Sequence, residues 1–180
     1  MTRLAGLVIA ALAVVDLSDV SLAGTLRPAC EVQKSRAVSF RSAGAKDVLE
    51  VSVGPGPCLT ARLTIVIRSD AGRVLYTYEQ GFEQHVVHTE QDPLHLQAVP
   101  FVDRMLAEGV GTSATLPPWQ VADAYEAEHM GMVLIDRATY ERLRSMPLPL
   151  FWHPTYHEGW RSVVWDQAAG KTVTVVEGGS

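Results

Sequence analysis

The sequence predicts an α+β domain: an antiparallel β-sheet, made of an N-terminal meander and a C-terminal hairpin, with two or three helices from the middle of the chain packed on it. Three observations carry that reading. Leu59, Ala61, Leu63, Ile65 and Ile67 are apolar while Thr60, Arg62 and Thr64 between them are polar, which is the period of two of a half-buried strand. Helix signals cluster between Pro100 and Pro147, and strand chemistry returns after Gly159. Strands first, helices in the middle and strands last is the element order of an α+β fold.

Taken in order, Leu49, Val51 and Val53 alternate with Glu50 and Ser52, and Gly54-Pro55-Gly56-Pro57 cannot continue a ladder, so one strand ends there. Ser69-Asp70-Ala71-Gly72 supplies a turn, and Arg73 to Glu79 resumes with β-branched and aromatic residues. Residues 59 to 79 thus read as a hairpin and, with the strand before them, as a three-stranded meander. Pro100 suits the first turn of a helix that buries Phe101, Val102, Met105 and Leu106 and ends at Gly109. A second helix spans Pro118 to Met130 on the partial stripe Val121, Ala122 and Tyr125. Met132 to Ile135 reads as a short buried strand. Asp136 then caps a third helix whose Tyr140 and Leu143 share a face, with Ile135 as a hydrophobic staple on Tyr140 and Pro147 as the stop. Arg161 to Asp166 and Lys171 to Glu177 form the closing hairpin around Gln167-Ala168-Ala169-Gly170, and Gly178-Gly179-Ser180 reads as a frayed end.

Of the 180 residues, 47% are hydrophobic and 19% charged, with 15 Lys+Arg against 20 Asp+Glu. That balance is globular, and a net charge of -5 gives no general reason to bind nucleic acid or an anionic membrane. The N-terminus predicts export. Arg3 is followed by an unbroken apolar or small run from Leu4 to Val15, too short to span a bilayer, and Ser21-Leu22-Ala23 offers small residues where a signal peptidase reads them. The expected organisation is a cleaved signal peptide over residues 1–23 and a single globular domain over 24–180. That domain would be periplasmic or secreted, with no stable membrane anchor. In an oxidising compartment Cys30 and Cys58 pair as a disulfide, which stabilises the fold by about 3 to 4 kcal/mol in a chain-entropy treatment. No basic residue near Cys58 in sequence would make it a reactive thiolate.

Chemistry has three candidate places. His85, His88 and His95 lie close to Glu90 and Asp92, a ligand set that suits zinc or copper, against the plainer reading of solvated loop histidines; Val86-Val87 favours extended chain, which points His85 and His88 apart. The segment from Leu150 to Trp160 is dense in aromatic rings, with Pro154 and Gly159 marking a loop. Trp152, Tyr156, His157 and Trp160 are its candidate binding residues, because rings with polar edges stack on sugars or anchor protein partners. His153, His157 and Glu158 are its candidate acid–base groups, and the plain alternative is a core plug under a loop. Asp123, Glu126, Glu128 and His129 read as the solvated face of a helix. No nucleophile-elbow, zinc-protease, P-loop or dinucleotide motif occurs, and no cofactor is implied. The leading expectation is an exported binding module of the cell envelope that recognises a protein partner or a glycan. A small envelope hydrolase using His157 and Glu158 and a His-based metal-binding protein are its rivals.

Overall fold

The alternation is realised from Arg62 onward as the third strand of a meander, whereas Leu59 and Thr60 lie in the turn before it and Leu59 is exposed. The computed structural model describes residues 29–91, 93–119 and 131–179. The signal-peptide and cleavage-site expectation, most of the helix expected at 118–130 with its acidic face, Asp92 and Ser180 lie outside them. The first sheet runs β1 (Val32–Val38), β2 (Asp47–Val53), β3 (Arg62–Arg68) and β4 (Val74–Gly81) in sequence order, all antiparallel. Leu49, Val51, Val53, Leu63, Ile65 and Ile67 form its buried face. A second sheet has the order β5 (Val110–Thr112), β7 (Pro149–Pro154), β8 (Trp160–Asp166), β9 (Lys171–Gly178), β6 (Gly131–Val133), again antiparallel throughout. Among the described residues the α-helices are α1 (Leu94–Glu108) and α2 (Arg137–Ser145). The fold is α+β with antiparallel sheets, and the meander and the C-terminal hairpin belong to different sheets.

Two cores hold these elements together. In the first, the buried face of the meander packs against Leu94, Ala98, Phe101, Val102 and Met105 of α1 and against Phe151, Val163 and Trp165 of the second sheet. In the second, Tyr140 and Leu143 of α2 pack with Leu150, Val164 and Val175 from the opposite face of that sheet. The second sheet is therefore covered on both faces. This is why β8 is buried continuously from Ser162 to Asp166 rather than alternating.

Further local expectations change. Strand β1 was not anticipated, because Lys34 and Arg36 stand opposite Val51 and Leu49 on the core-facing register. Both heads reach α1: Lys34 pairs with Asp103, and Arg36 donates to Leu106 O at 2.6 Å, satisfying a carbonyl at the helix C-terminus. Helix α1 begins at Leu94 rather than at Pro100, which sits exposed inside it. The segment read as a loop from Leu150 to Trp160 is a strand up to Pro154 and a tight turn only from Thr155 to Gly159. Gly178 is not frayed, because it is the ladder partner of both Gly131 and Trp160.

The short buried strand expected over Met132 to Ile135 is instead β6, Gly131–Val133, and Met132 and Leu134 are exposed at the sheet edge. The cap, staple and cysteine signals are realised as read. Asp136 Oδ1 accepts from Thr139 N at 3.0 Å as the cap of α2, and Ile135 packs on the Tyr140 cluster. Cys30 and Cys58 are disulfide-bonded with Cα atoms 4.8 Å apart, tying the chain before β1 to the loop between β2 and β3. Gly54 in that loop has φ +112, and a Cβ there would lie 2.3 Å from Cys30 O, so only glycine fits.

Candidate functional site

Period-two geometry divides the aromatic segment between the two faces of the second sheet. Cross-strand partners share a face, and the ladder pairs His153 with Arg161 and Arg161 with Glu177. That row looks inward toward the meander. The neighbouring rows, Trp152–Ser162–Val176–Val133 and Pro154–Trp160–Gly178–Gly131, look outward.

From these rows Trp152, Ser162, Val176, Val133, Trp160 and Gly131 form the floor of a cleft of about 440 Å³, walled by Leu116, Pro117 and Tyr140. Trp160 is a ring laid on glycine: a Cβ at Gly178 would meet its indole at 2.8 Å, and one at Gly131 at 3.4 Å. The two glycines therefore make room for the indole to lie against the sheet. Trp152 stands at the rim, 40% exposed. Among the described residues no charged side chain lines the cleft. Two of its hydroxyls are already committed, Tyr140 to Pro117 O at 2.8 Å and Thr115 to Thr112 O at 2.7 Å. Burial pushes the Tyr140 phenol up to about 12, so it stays a neutral donor. What remains is an apolar concavity bordered by two indoles.

The inward row meets Tyr76 and Tyr78 of β4. Their Tyr-x-Tyr spacing puts both on the core-facing side, opposite Ile67 and Ile65. His153 is fully buried between them, 2.6 Å from the Tyr76 hydroxyl through Nε2 and 2.8 Å from Pro154 O through Nδ1. Burial pulls its pKa down to about 4, with nearby Arg161 and His85 acting in the same direction against the pull of the Pro154 carbonyl. The Tyr78 hydroxyl donates to Thr155 O at 2.7 Å and lies 3.1 Å from His85 Nε2. Burial raises the Tyr78 phenol to about 12 and lowers His85. Arg161 donates to both carboxylate oxygens of Glu177, at 2.9 and 3.0 Å. Perturbed titratable groups mark either catalytic sites or structural polar networks. Here they serve the second role, because both ring nitrogens of each histidine are already taken by protein partners.

The candidates from the sequence are therefore scattered. Trp152 and Trp160 meet at the cleft. Tyr156 is half-buried on the other side of the sheet, its ring against Gly159 and Gly179 and beside the exposed Met132 and Leu134. His157 and Glu158 are exposed and 3.7 Å apart, while His153 is inside, so the three do not assemble. His85 is buried at the end of the short 3₁₀ turn Phe82–His85 rather than on a strand or in a solvated loop, and His88 and His95 are exposed. Among the described residues, no group of three His, Cys, Asp or Glu side chains converges on one point. Sequence reasoning did not single out Tyr76, Tyr78, Arg161 or Glu177 of the polar network, nor Leu116, Pro117 and Val133 of the cleft. The Tyr-x-Tyr spacing was the one local signal for the network, and the cleft residues come together only through the order of the second sheet. Compared with known proteins, the chain matches no family model, no curated sequence and no solved structure.

Proposed function

We propose that this protein is an exported binding module of the cell envelope that holds an apolar segment of a protein partner in the cleft under Trp152 and Trp160. The observation that carries the proposal is the lining: two indoles over aliphatic side chains, with no charge among the described residues and few free hydroxyls. A glycan would also stack on the indoles, but each sugar hydroxyl buried without a partner costs about 1 to 3 kcal/mol, and the cleft offers few partners. Leucine, phenylalanine or proline side chains need none. The Cys30–Cys58 disulfide suits an oxidising compartment and supports the export reading.

The test is calorimetric titration with short apolar peptides and, separately, with soluble envelope oligosaccharides, for the wild type and for Trp152→Ala. Saturable peptide binding is expected, weakened about 10- to 100-fold in Trp152→Ala, the factor that losing burial of a large side chain produces. The melting temperature should stay nearly unchanged, since Trp152 is a rim residue. Oligosaccharide binding without peptide binding would move the ligand to the glycan class. Peptide binding indifferent to Trp152→Ala would remove the cleft as the site.

A further inference from the structure

Two tyrosine–histidine pairs sit side by side between the sheets, and they differ in the protons they need. In the first, His153 faces Pro154 O through Nδ1 and the Tyr76 hydroxyl through Nε2. A carbonyl oxygen only accepts, so Nδ1 carries the ring proton and Tyr76 donates to Nε2. Two contacts are served by two protons, and the pair is complete with the ring neutral. In the second, His85 Nδ1 lies 2.9 Å from Gly81 O, His85 Nε2 lies 3.1 Å from the Tyr78 hydroxyl, and that hydroxyl lies 2.7 Å from Thr155 O. This chain of three contacts ends on a carbonyl at both sides. A neutral imidazole and a phenol bring two protons to three contacts, so one contact must set lone pair against lone pair. If Tyr78 donates to Thr155 O, His85 Nε2 lacks a donor; if it donates to His85, the Thr155 carbonyl lacks one.

We propose that His85 is a proton-operated latch on the Thr155–Gly159 turn: a second ring proton supplies the missing hydrogen, commits the Tyr78 hydroxyl to the Thr155 carbonyl and fastens the turn to the meander. The turn is closed by Thr155 N donating to Gly159 O at 2.9 Å and carries Tyr156, His157 and Glu158. Between it and α1 lies a groove of about 330 Å³ that His85 and His157 both line. The charged or titratable groups around His85 come from every neighbouring element. They are Tyr78 from β4, Arg104 and Glu108 from α1, His153 from β7 and His157 from the turn. Arg161 from β8 stands over the Tyr78 ring at 5.9 Å, and Glu83 lies on the same 3₁₀ turn. Arg104 and Arg161 oppose the second proton, and Glu108 and Glu83 favour it. Burial holds the ring below the ordinary histidine value while the Gly81 and Phe82 carbonyls pull it up, which places the latch on the acid side of neutrality. The coupling is reciprocal, so holding the turn closed also raises the affinity of His85 for its proton.

The experiment follows the ring nitrogens of His85 by ¹⁵N NMR and the hydrogen exchange of the Thr155 and Gly159 amides in the intact protein, from about pH 7.5 to about pH 5. His85 is expected to pass from one ring proton to two. Amide protection, corrected for intrinsic exchange, should rise about fivefold with the same midpoint, the factor one ordinary hydrogen bond supplies. Tyr78→Phe keeps the ring and removes the hydroxyl, and its protection should be flat with pH; His157→Ala, an exposed change, should keep the full response. Protection that stays flat in the wild type while His85 titrates overturns the latch. So does an equal rise in Tyr78→Phe, or a His85 that holds a single proton across the range.

Discussion

A buried histidine stays neutral when both nitrogens are satisfied and removal from water penalises its charge, and His153 is held in that way between Tyr76 and Pro154. Unfolded, such a ring titrates near 6.5; folded, at about 4. The folded state therefore refuses a proton that the unfolded chain accepts. Stability tied to the neutral ring is complete above about pH 6.5 and is lost as pH falls toward about 4, to a total of about 3 kcal/mol. The lowered pKa of His85 adds to the loss with the same sign, even though its proton tightens one local contact. His153→Gln should therefore flatten the fall of Tm between about pH 6.5 and pH 4. A slope equal to that of the wild type would contradict the assignment. None of this is legible around His153 itself, where Pro154 suggests a loop. The partner that decides its role, Tyr76, lies 77 residues away in sequence. The cysteine pair was legible, because two cysteines allow a single intrachain connection.

At the scale of elements, legibility follows how local the determinant is. Helix α2 was readable because its cap, staple and buried face lie within a few residues: Asp136, Ile135, and Tyr140 with Leu143. Strands β2 and β3 were readable from alternation, and β4 from the β-branched and aromatic residues that resume after the Ser69–Gly72 turn. Strand β1 was not, since charged Lys34 and Arg36 occupy its core-facing register and reach across to α1. The start of α1 was misplaced because proline is most at home in a first helical turn, whereas here it occupies the middle of the helix and removes the N–H that would reach back to Leu96. That arrangement predicts a gain rather than a loss on substitution. Pro100 is exposed, so Pro100→Ala should restore a helical hydrogen bond and raise stability by about 1 kcal/mol or more, read as a higher midpoint in urea. A lower midpoint would mean that α1 depends on its proline.

For the whole molecule, the second sheet is the feature least visible in sequence. Its order, β5-β7-β8-β9-β6, gathers strands from both sides of α2, and no local pattern announces that β8 is covered on both faces. The cleft inherits that non-locality, with walls at 115–117 and at Tyr140 and a floor from four strands. The disulfide stands apart from it, joining segments of the meander. Reduction, or Cys58→Ser, should lower stability by about 3 kcal/mol while leaving apolar-peptide affinity within about twofold. Loss of binding in step with stability would show that the cleft depends on the meander.

The tryptophans supply the most direct measurement. Trp152 and Trp160 border the cleft, whereas Trp165 belongs to the inner core on the opposite face of the same sheet, under Arg73. In an NMR titration with an apolar peptide, the indole N–H signals of Trp152 and Trp160 should move together and saturate with the calorimetric affinity while that of Trp165 stays in place. Movement of Trp165 alone, or no indole movement at saturating peptide, would contradict the assignment of the cleft as the binding surface.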